Sequence, residues 1–116
     1  MAEDLLETHL YRYGPRRTLF VTGELDVATT SVFEGAVDRA LDGRGDELSL
    51  DFSGLTFIDS TGARAVVHAH TRATSLGRRV VILSPTRAVR RVLDIMGLDE
   101  VVDIKDGAPA LPSRFA

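Results

Sequence analysis

The alternation of strand-like and helix-like segments constrains the fold of this chain more than any other feature of its sequence. Three segments have the β-branched, alternating or continuously apolar pattern of strands: residues 18–23, 47–53 and 78–84. Three others space their apolar residues as one face of a helix does: residues 30–42, 61–75 and the stretch from Pro85 to Met96. A weaker strand over 4–13 precedes them and a short one over 101–104 follows. The resulting order, β-β-α-β-α-β-α-β, predicts a mixed, partly parallel sheet with packed helices.

Start and stop signals set the expected ends of these elements. Ser31, with Glu34 three residues later, fits a capping box at the start of the first helix. Ser84 has the position of a capping hydroxyl before Pro85, and the apolar stripe of the helix that follows includes Met96. A glycine closes each helix: Gly43, Gly77 and Gly97. The strand over 18–23 is expected to stop at its own glycine, Gly23, with a polar loop over 24–26.

Composition and charge exclude several classes of protein. The 116 residues are 44% apolar and 27% charged, and the formal net charge of −3 gives no reason to expect nucleic acid or anionic lipid as a partner. The chain has no cysteine, which excludes disulfides and thiolate metal sites. It has neither a signal-peptide pattern nor an apolar run near the roughly 18 residues of a membrane helix. We expect one soluble, cytoplasmic domain over residues 1–116, without membrane insertion and with a flexible tail over 105–116.

The four residues Asp59, Ser60, Thr61 and Gly62 join a strand to a helix and form the candidate site. Asp59 or Ser60 can cap the helix, and one capping residue is enough. Gly62 weakens the first turn, and its missing side chain would leave the two hydroxyls open to a visiting molecule. Two interpretations stay open at this stage. Either these residues only cap the helix, or its start tolerates a phosphate on Ser60 that opposes a docked partner.

Catalytic and metal-binding interpretations of this region fail on geometry. A nucleophilic Ser60 needs a base within reach, but His68 and His70 lie 8 and 10 residues further along the same helix, roughly 12–15 Å away. A nucleophile elbow needs a glycine where this chain has Ile58. The two histidines point away from each other on a helix and cannot chelate one ion. We therefore expect no catalytic residue, no metal site and no cofactor.

Three longer stretches resemble the STAS domain of bacterial anti-sigma factor antagonists. They are "FVTGELDVATTSVFEGAVDRAL", "LSLDFSGLTFIDSTGARAVV" and "RRVVILSPTRAVRRVLDIMGLDEVVDI", which span about residues 18–104. The most specific part is the apolar strand followed by "DFSGLTFIDSTG"; "GELD", "SP" and "GLDEVV" support it at the family's spacings. The resemblance implies a mixed sheet of four or five strands with helices mainly on one face.

The resemblance also implies a function and a set of site residues. Such a protein binds an anti-sigma factor that is also a serine kinase, and binding frees the sigma factor. The kinase phosphorylates the antagonist, which then dissociates from the kinase, and a separate phosphatase dephosphorylates the antagonist. The antagonist itself is not an enzyme. On this chain the phosphoacceptor is Ser60. The acceptor loop and partner surface are expected to include Glu24, Asp26, Asp59, Ser60, Thr61, Gly62 and Arg64.

The chain departs from the family pattern directly after Gly62. Members commonly continue with leucine and glycine, whereas this chain has Ala63 and Arg64. Arg64 is a cation near the start of a helix, where the dipole disfavours it, unless it pairs with a phosphate on Ser60 or with a carboxylate of the partner. A second function stays open beside the antagonist: a STAS scaffold or transporter-accessory module that phosphorylation does not switch.

Overall fold

The computed structural model describes residues 5–106 and contains every predicted element. In chain order they are β1 (Leu6–Tyr13), β2 (Arg16–Leu25), α1 (Thr30–Ala40), β3 (Glu47–Ile58), α2 (Ser60–Ser75), β4 (Arg79–Leu83), α3 (Arg87–Ile95), a 3₁₀ turn (Leu98–Glu100) and β5 (Asp103–Lys105). Lys105, where the predicted tail begins, is the last residue of β5. Residues 107–116 of that predicted tail lie outside the described residues.

The five strands form one sheet in the order β1-β2-β3-β4-β5. β1 runs antiparallel to β2, and the three following pairs are parallel. Each parallel connection steps to the next strand in the same direction, so right-handed crossovers place α1, α2 and α3 on one face. The mixed five-stranded sheet with its three helices confirms the predicted fold class.

One hydrophobic cluster fills the layer between the sheet and the helices. Leu19, Leu50 and Ile82 are neighbours across the three central strands, and all are fully buried. Phe33 of α1 and Val66 of α2 belong to the same cluster and are also fully buried. Each such side chain contributes about 1.5–3 kcal/mol by leaving water. This layer fixes how the helices sit on the sheet and therefore where their first turns lie.

β2 continues past Gly23, so the predicted strand stop and polar loop are wrong there. Gly23 has a φ of +106°, and a side chain at this position would overlap the backbone of Leu5. The register between β2 and β3 also shifts immediately after Gly23, which is the mark of a bulge. Glu24 and Leu25 therefore belong to the strand. The glycine allows a distortion within β2 and does not end it.

The predicted capping box at the start of α1 is wrong. The helix begins at Thr30 with Thr29 as its N-cap, so Ser31 and Glu34 lie inside the helix and are exposed. The hydroxyl of Thr29 makes no capping bond; it donates to the carbonyl oxygen of Glu24 at 2.8 Å. A contact with the preceding strand, rather than the local capping motif, thus determines where α1 starts.

The predicted start of α3 is displaced by two residues. Thr86 is the N-cap: its Oγ1 accepts from the amide of Val89 at 3.3 Å and donates to the carbonyl oxygen of Leu55 at 3.1 Å. Ser84, the predicted cap, has a left-handed φ of +52°. N-caps need β-region backbone, so Ser84 cannot cap this helix.

The end of α3 agrees with its predicted stop signal but not with its predicted apolar stripe. Gly97 adopts a left-handed φ of +76° directly after the helix, and Leu98 behind it is buried, as expected for a glycine stop with its hydrophobic contact. Met96, predicted to face the core, is 40% exposed. The helix ends at Ile95, so Met96 is already turning away from the sheet.

Two arginines bind the end of α1. Arg17 donates to the carbonyl oxygens of Ala40 at 2.8 Å and Asp42 at 2.6 Å, and Arg78 donates to carbonyl oxygens of the same turn. Burial, together with the charges of Arg12 and Arg78, lowers the pKa of Arg17. The guanidinium groups satisfy carbonyls that the helix end leaves without amide donors, and their charge suits its negative dipole end.

Candidate functional site

The carboxyl ends of β2 and β3 meet at one edge of the sheet. Leu25 and Ile58 are paired in register, and they are the last residues of their strands. Asp26 follows β2 and Asp59 follows β3, and the amide of Asp59 donates to the carbonyl oxygen of Leu25 at 3.3 Å. The structure therefore brings together the two loops that the sequence analysis singled out. Loops at the carboxyl ends of parallel strands are where α/β proteins usually place their sites.

Asp59 is the residue that caps α2. Its backbone is extended, and its Oδ1 accepts from the amide of Gly62 at 2.8 Å. Ser60 is the first residue of the helix and is exposed, while Thr61 is half-buried. Within residues 5–106 the Ser60 hydroxyl has no hydrogen-bond partner. Because Asp59 supplies the cap, the fold does not depend on the hydroxyl of Ser60.

Gly62 lies where α2 touches the end of β2. It is buried, and a Cβ there would stand 2.9 Å from Cγ1 of Ile58 and 3.0 Å from the carbonyl carbon of Leu25, with the Leu25 oxygen closer still. These distances are too short for a real side chain. The sequence analysis explained this glycine by access to the hydroxyls; the structure corrects that explanation, since the backbone of β2 occupies the space.

The Asp26 loop is held by hydrogen bonds within itself. Oδ1 of Asp26 accepts from the amide of Ala28 at 3.0 Å, and the Asp26 amide donates to Oγ1 of Thr29 at 3.0 Å. Thr29 is only 7% exposed and links this loop to Glu24 through the bond described above. Sequence reasoning missed Thr29, although a hydroxyl three residues after an aspartate is the signal of such a turn. Asp26 thus shapes its loop with the same carboxylate that was expected at the partner surface.

Two exposed apolar residues flank the meeting point of the two loops and were not predicted. Val27, next to Asp26, is 74% exposed, and Phe57, opposite Glu24 in the β2–β3 register, is 46% exposed. The strand prediction over 47–53 ended five residues early, which left Phe57 outside any element. No sequence signal distinguished Val27, which follows the predicted polar loop over 24–26 and precedes Ala28. Their position beside the two loops makes both side chains accessible to a molecule that binds at this edge.

Arg64 lies on α2, four residues after Ser60. It is exposed and forms no ion pair with another described residue. Positions four apart on a helix share a face, so the side chains of Arg64 and Ser60 are neighbours. Of the predicted site residues, Asp26, Asp59, Ser60, Thr61 and Gly62 lie at the strand ends, Glu24 lies in β2, and Arg64 lies one turn along the helix.

The two histidines of α2 have different surroundings. His68 is 63% exposed and lies 3.6 Å from a carboxylate oxygen of Glu34 on α1, whereas His70 is half-buried with its Nδ1 inside the protein. Across residues 5–106, no three histidine, aspartate or glutamate side chains are grouped as a metal site requires. None of the helices described is both long and apolar enough to cross a membrane.

A family model described as "Mlab, STAS domain" matches residues 12–103. The chain belongs to the STAS domain family. This match covers β3, the Asp59 cap that follows it and all three helices. The resemblance found in the sequence is therefore confirmed.

Named relatives of this STAS domain include anti-sigma factor antagonists. The anti-sigma-B factor antagonist of Listeria monocytogenes is 26% identical over 88 residues, which cover 76% of this chain and 77% of that protein. An anti-sigma factor antagonist from Mycobacterium paratuberculosis has a crystal structure that superposes with a TM-score of 0.80 at 21% identity, covering 90% of this chain and 88% of that one.

The anti-sigma factor antagonist SpoIIAA has the same fold in two states. Its unphosphorylated form matches with a TM-score of 0.75 at 22% identity, over 88% of this chain and 89% of that one. The phosphorylated form of the Bacillus protein matches with a TM-score of 0.68 at 21% identity, over 88% and 92%. At these identities the superpositions establish the fold that this chain shares with them.

Proposed function

We propose that this STAS domain is a cytoplasmic anti-sigma factor antagonist switched by phosphorylation of Ser60. The unphosphorylated protein binds an anti-sigma factor that is also a serine kinase, and the sigma factor is released. The observation that carries the proposal is the exposed hydroxyl of Ser60, which begins α2 while Asp59 does the capping. The named relatives support the antagonist role, and a phosphorylated form is described for SpoIIAA.

The position of Ser60 suits a switch of this kind. The kinase would transfer the γ-phosphoryl group of ATP to Oγ, and a phosphatase would hydrolyse the ester and release inorganic phosphate. A phosphoserine carries about −1.5 to −2 charges at neutral pH. The first turn of a helix favours an anion, so the fold should tolerate the phosphate. A partner docked over this edge should not, because charge is added beside Asp59 and must be desolvated on binding.

The chain itself acts as a kinase substrate and a binding protein, not as an enzyme. The partner surface centres on Ser60 and Thr61 and includes the Asp26 loop, with Arg64 on the next turn of α2. The internal bonds of Asp26 and Asp59 support a rigid surface, which lowers the entropic cost of binding.

The test compares Ser60→Ala and Ser60→Asp as baits in lysate with ATP, followed by reconstitution with the captured partner. We expect an anti-sigma factor of the histidine-kinase-like ATPase fold to bind the alanine variant and to bind the aspartate variant less tightly by about 1–3 kcal/mol. The aspartate variant should keep a cooperative melt. The reconstituted kinase should phosphorylate the wild type and Thr61→Ala equally, because Ser60 is the acceptor.

Two results would overturn the proposal. Phosphopeptide mapping that places the phosphate on Thr61 would refute the assignment of the acceptor. Equal capture of one membrane or scaffold protein by both baits would instead favour the STAS scaffold or transporter-accessory module, for which Ser60 has no switching role.

A further inference from the structure

Ser60 and Arg64 form a pair of exposed side chains on the same face of α2. The helix runs without interruption from Ser60 to Ser75, so the four-residue spacing places their Cβ atoms about 5–6 Å apart. A guanidinium group presents several N–H donors in a planar fork that matches two phosphate oxygens at once. The geometry therefore allows Arg64 to reach a phosphate on Ser60 without moving the backbone.

Arg64 stands at a position that helix electrostatics disfavours. It lies in the second turn of α2, close to the positive end of the dipole, and the first turn holds no acidic side chain. Oδ1 of Asp59 accepts from the amide of Gly62 and caps the helix. By contrast, Arg72 on the same helix pairs with Asp38 of α1 at 3.3 Å. Among the described residues of the unphosphorylated protein, Arg64 forms no ion pair with a carboxylate.

We propose that Arg64 is the intramolecular counter-ion of the phosphate on Ser60. The inference rests on the proposed function, because it needs Ser60 to carry a phosphate. The other charged groups at this edge are the carboxylates of Asp59, Asp26 and Glu24, which disfavour the dianionic phosphate. Arg64 opposes them, so it lowers the second pKa of phosphoserine and raises the dianionic fraction of the phosphate near that pKa.

The experiment installs phosphoserine at position 60 during translation, so that no kinase is required. The second pKa of the phosphate is then measured by phosphorus NMR in the wild type, Arg64→Gln and Arg64→Lys. The matched control is Arg72→Gln, which removes a cation from the same helix 12 residues from Ser60, about 18 Å away.

We expect the phosphate of Arg64→Gln to titrate about 0.2–0.4 pH unit higher than that of the wild type, the scale of a helical pair four residues apart. Arg64→Lys should keep part of the effect, and Arg72→Gln should titrate like the wild type. High salt should shrink the difference, since both groups are exposed.

Identical titration curves for the wild type and Arg64→Gln would overturn the inference and leave the Ser60 switch untouched. Loss of affinity of unphosphorylated Arg64→Gln for its partner, with no change in titration, would also overturn it and assign Arg64 to a partner carboxylate. If the pKa differs as expected but phosphorylated protein still binds its partner, the counter-ion stands and the proposed function fails.

Discussion

Replacing Gly62 with alanine should destabilise this protein, although alanine is the better helix former. In an unconstrained helix interior the same change stabilises by about 0.5–1 kcal/mol. Here the new Cβ would lie 2.9 Å from Cγ1 of Ile58 and 3.0 Å from the carbonyl carbon of Leu25. Leu25 contributes backbone atoms of a residue still paired with Ile58 at the end of β2, and these atoms cannot move aside as a flexible side chain does.

The expected loss follows from three effects. The start of α2 must retreat from β2 until the new Cβ clears the Leu25 oxygen, and overpacking of this kind costs about 1–3 kcal/mol. The bond from the Asp59 amide to the Leu25 oxygen, already 3.3 Å long, would be lost at a cost of about 1 kcal/mol. The gain in helix propensity offsets about 1 kcal/mol. The net destabilisation of Gly62→Ala should therefore be about 1–3 kcal/mol.

Urea denaturation followed by circular dichroism measures this difference, and Gly35→Ala is the matched control. Gly35 lies inside α1, and a Cβ there meets only Nη1 of Arg39 at an ordinary 3.5 Å. We expect Gly35→Ala to raise the unfolding free energy by about 0.5–1 kcal/mol and Gly62→Ala to lower it. If Gly62→Ala stabilised the protein as much as Gly35→Ala, the close approach of α2 to β2 would not constrain this position.

Two further predictions concern the binding surface and the end of α1. Val27→Asn should weaken partner binding at least about tenfold, as the loss of an apolar anchor does. The control Ile95→Asn, at a similarly exposed position on α3, should leave the affinity unchanged. Equal affinities of the two variants in titration calorimetry would show that Val27 is not part of the interface. Arg17→Ala should lower the unfolding free energy, measured by urea denaturation, by about 1–2 kcal/mol, because the carbonyl oxygens at the end of α1 lose a charged donor. The control Arg16→Ala replaces an exposed arginine and should change the unfolding free energy by less than about 0.5 kcal/mol. Equal losses in the two variants would contradict the role of Arg17.

The order of the elements was predictable because strand and helix periods are local properties of the sequence. The ends of the elements were not predictable where pairing with other strands determines them. β2 continues through Gly23 because it is paired on both sides, with β1 and with β3, and these ladders hold the strand together across the bulge. β3 likewise runs five residues past its predicted end because its last residues still pair with β2. A local reading of glycine as a stop cannot include those partners.

The predicted starts of α1 and α3 were wrong for a related reason. The pairs Ser31–Glu34 and Ser84–Pro85 match good local motifs, yet neither caps a helix. Thr29 and Thr86 stand at the N-cap positions instead, and each hydroxyl also donates to a carbonyl oxygen of a β-strand. A threonine that bonds a strand fixes the position of the helix relative to the sheet, which a serine bonding only its own helix does not. Sequence motifs contain no information about that second bond.

The sequence predicted where the candidate site lies, but it did not predict which of its residues caps α2. The sequence allowed either Asp59 or Ser60 to cap α2, and only the hydrogen bond from the Gly62 amide to Asp59 distinguishes them. The same contact supports the proposed phosphorylation of Ser60, because it leaves the helix cap intact when the charge of Ser60 changes. Asp59 and Gly62 fasten α2 to β2, so Ser60 makes no contribution that a phosphate would remove. We therefore expect phosphorylation of Ser60 to leave the fold intact while changing the charge of the proposed partner surface.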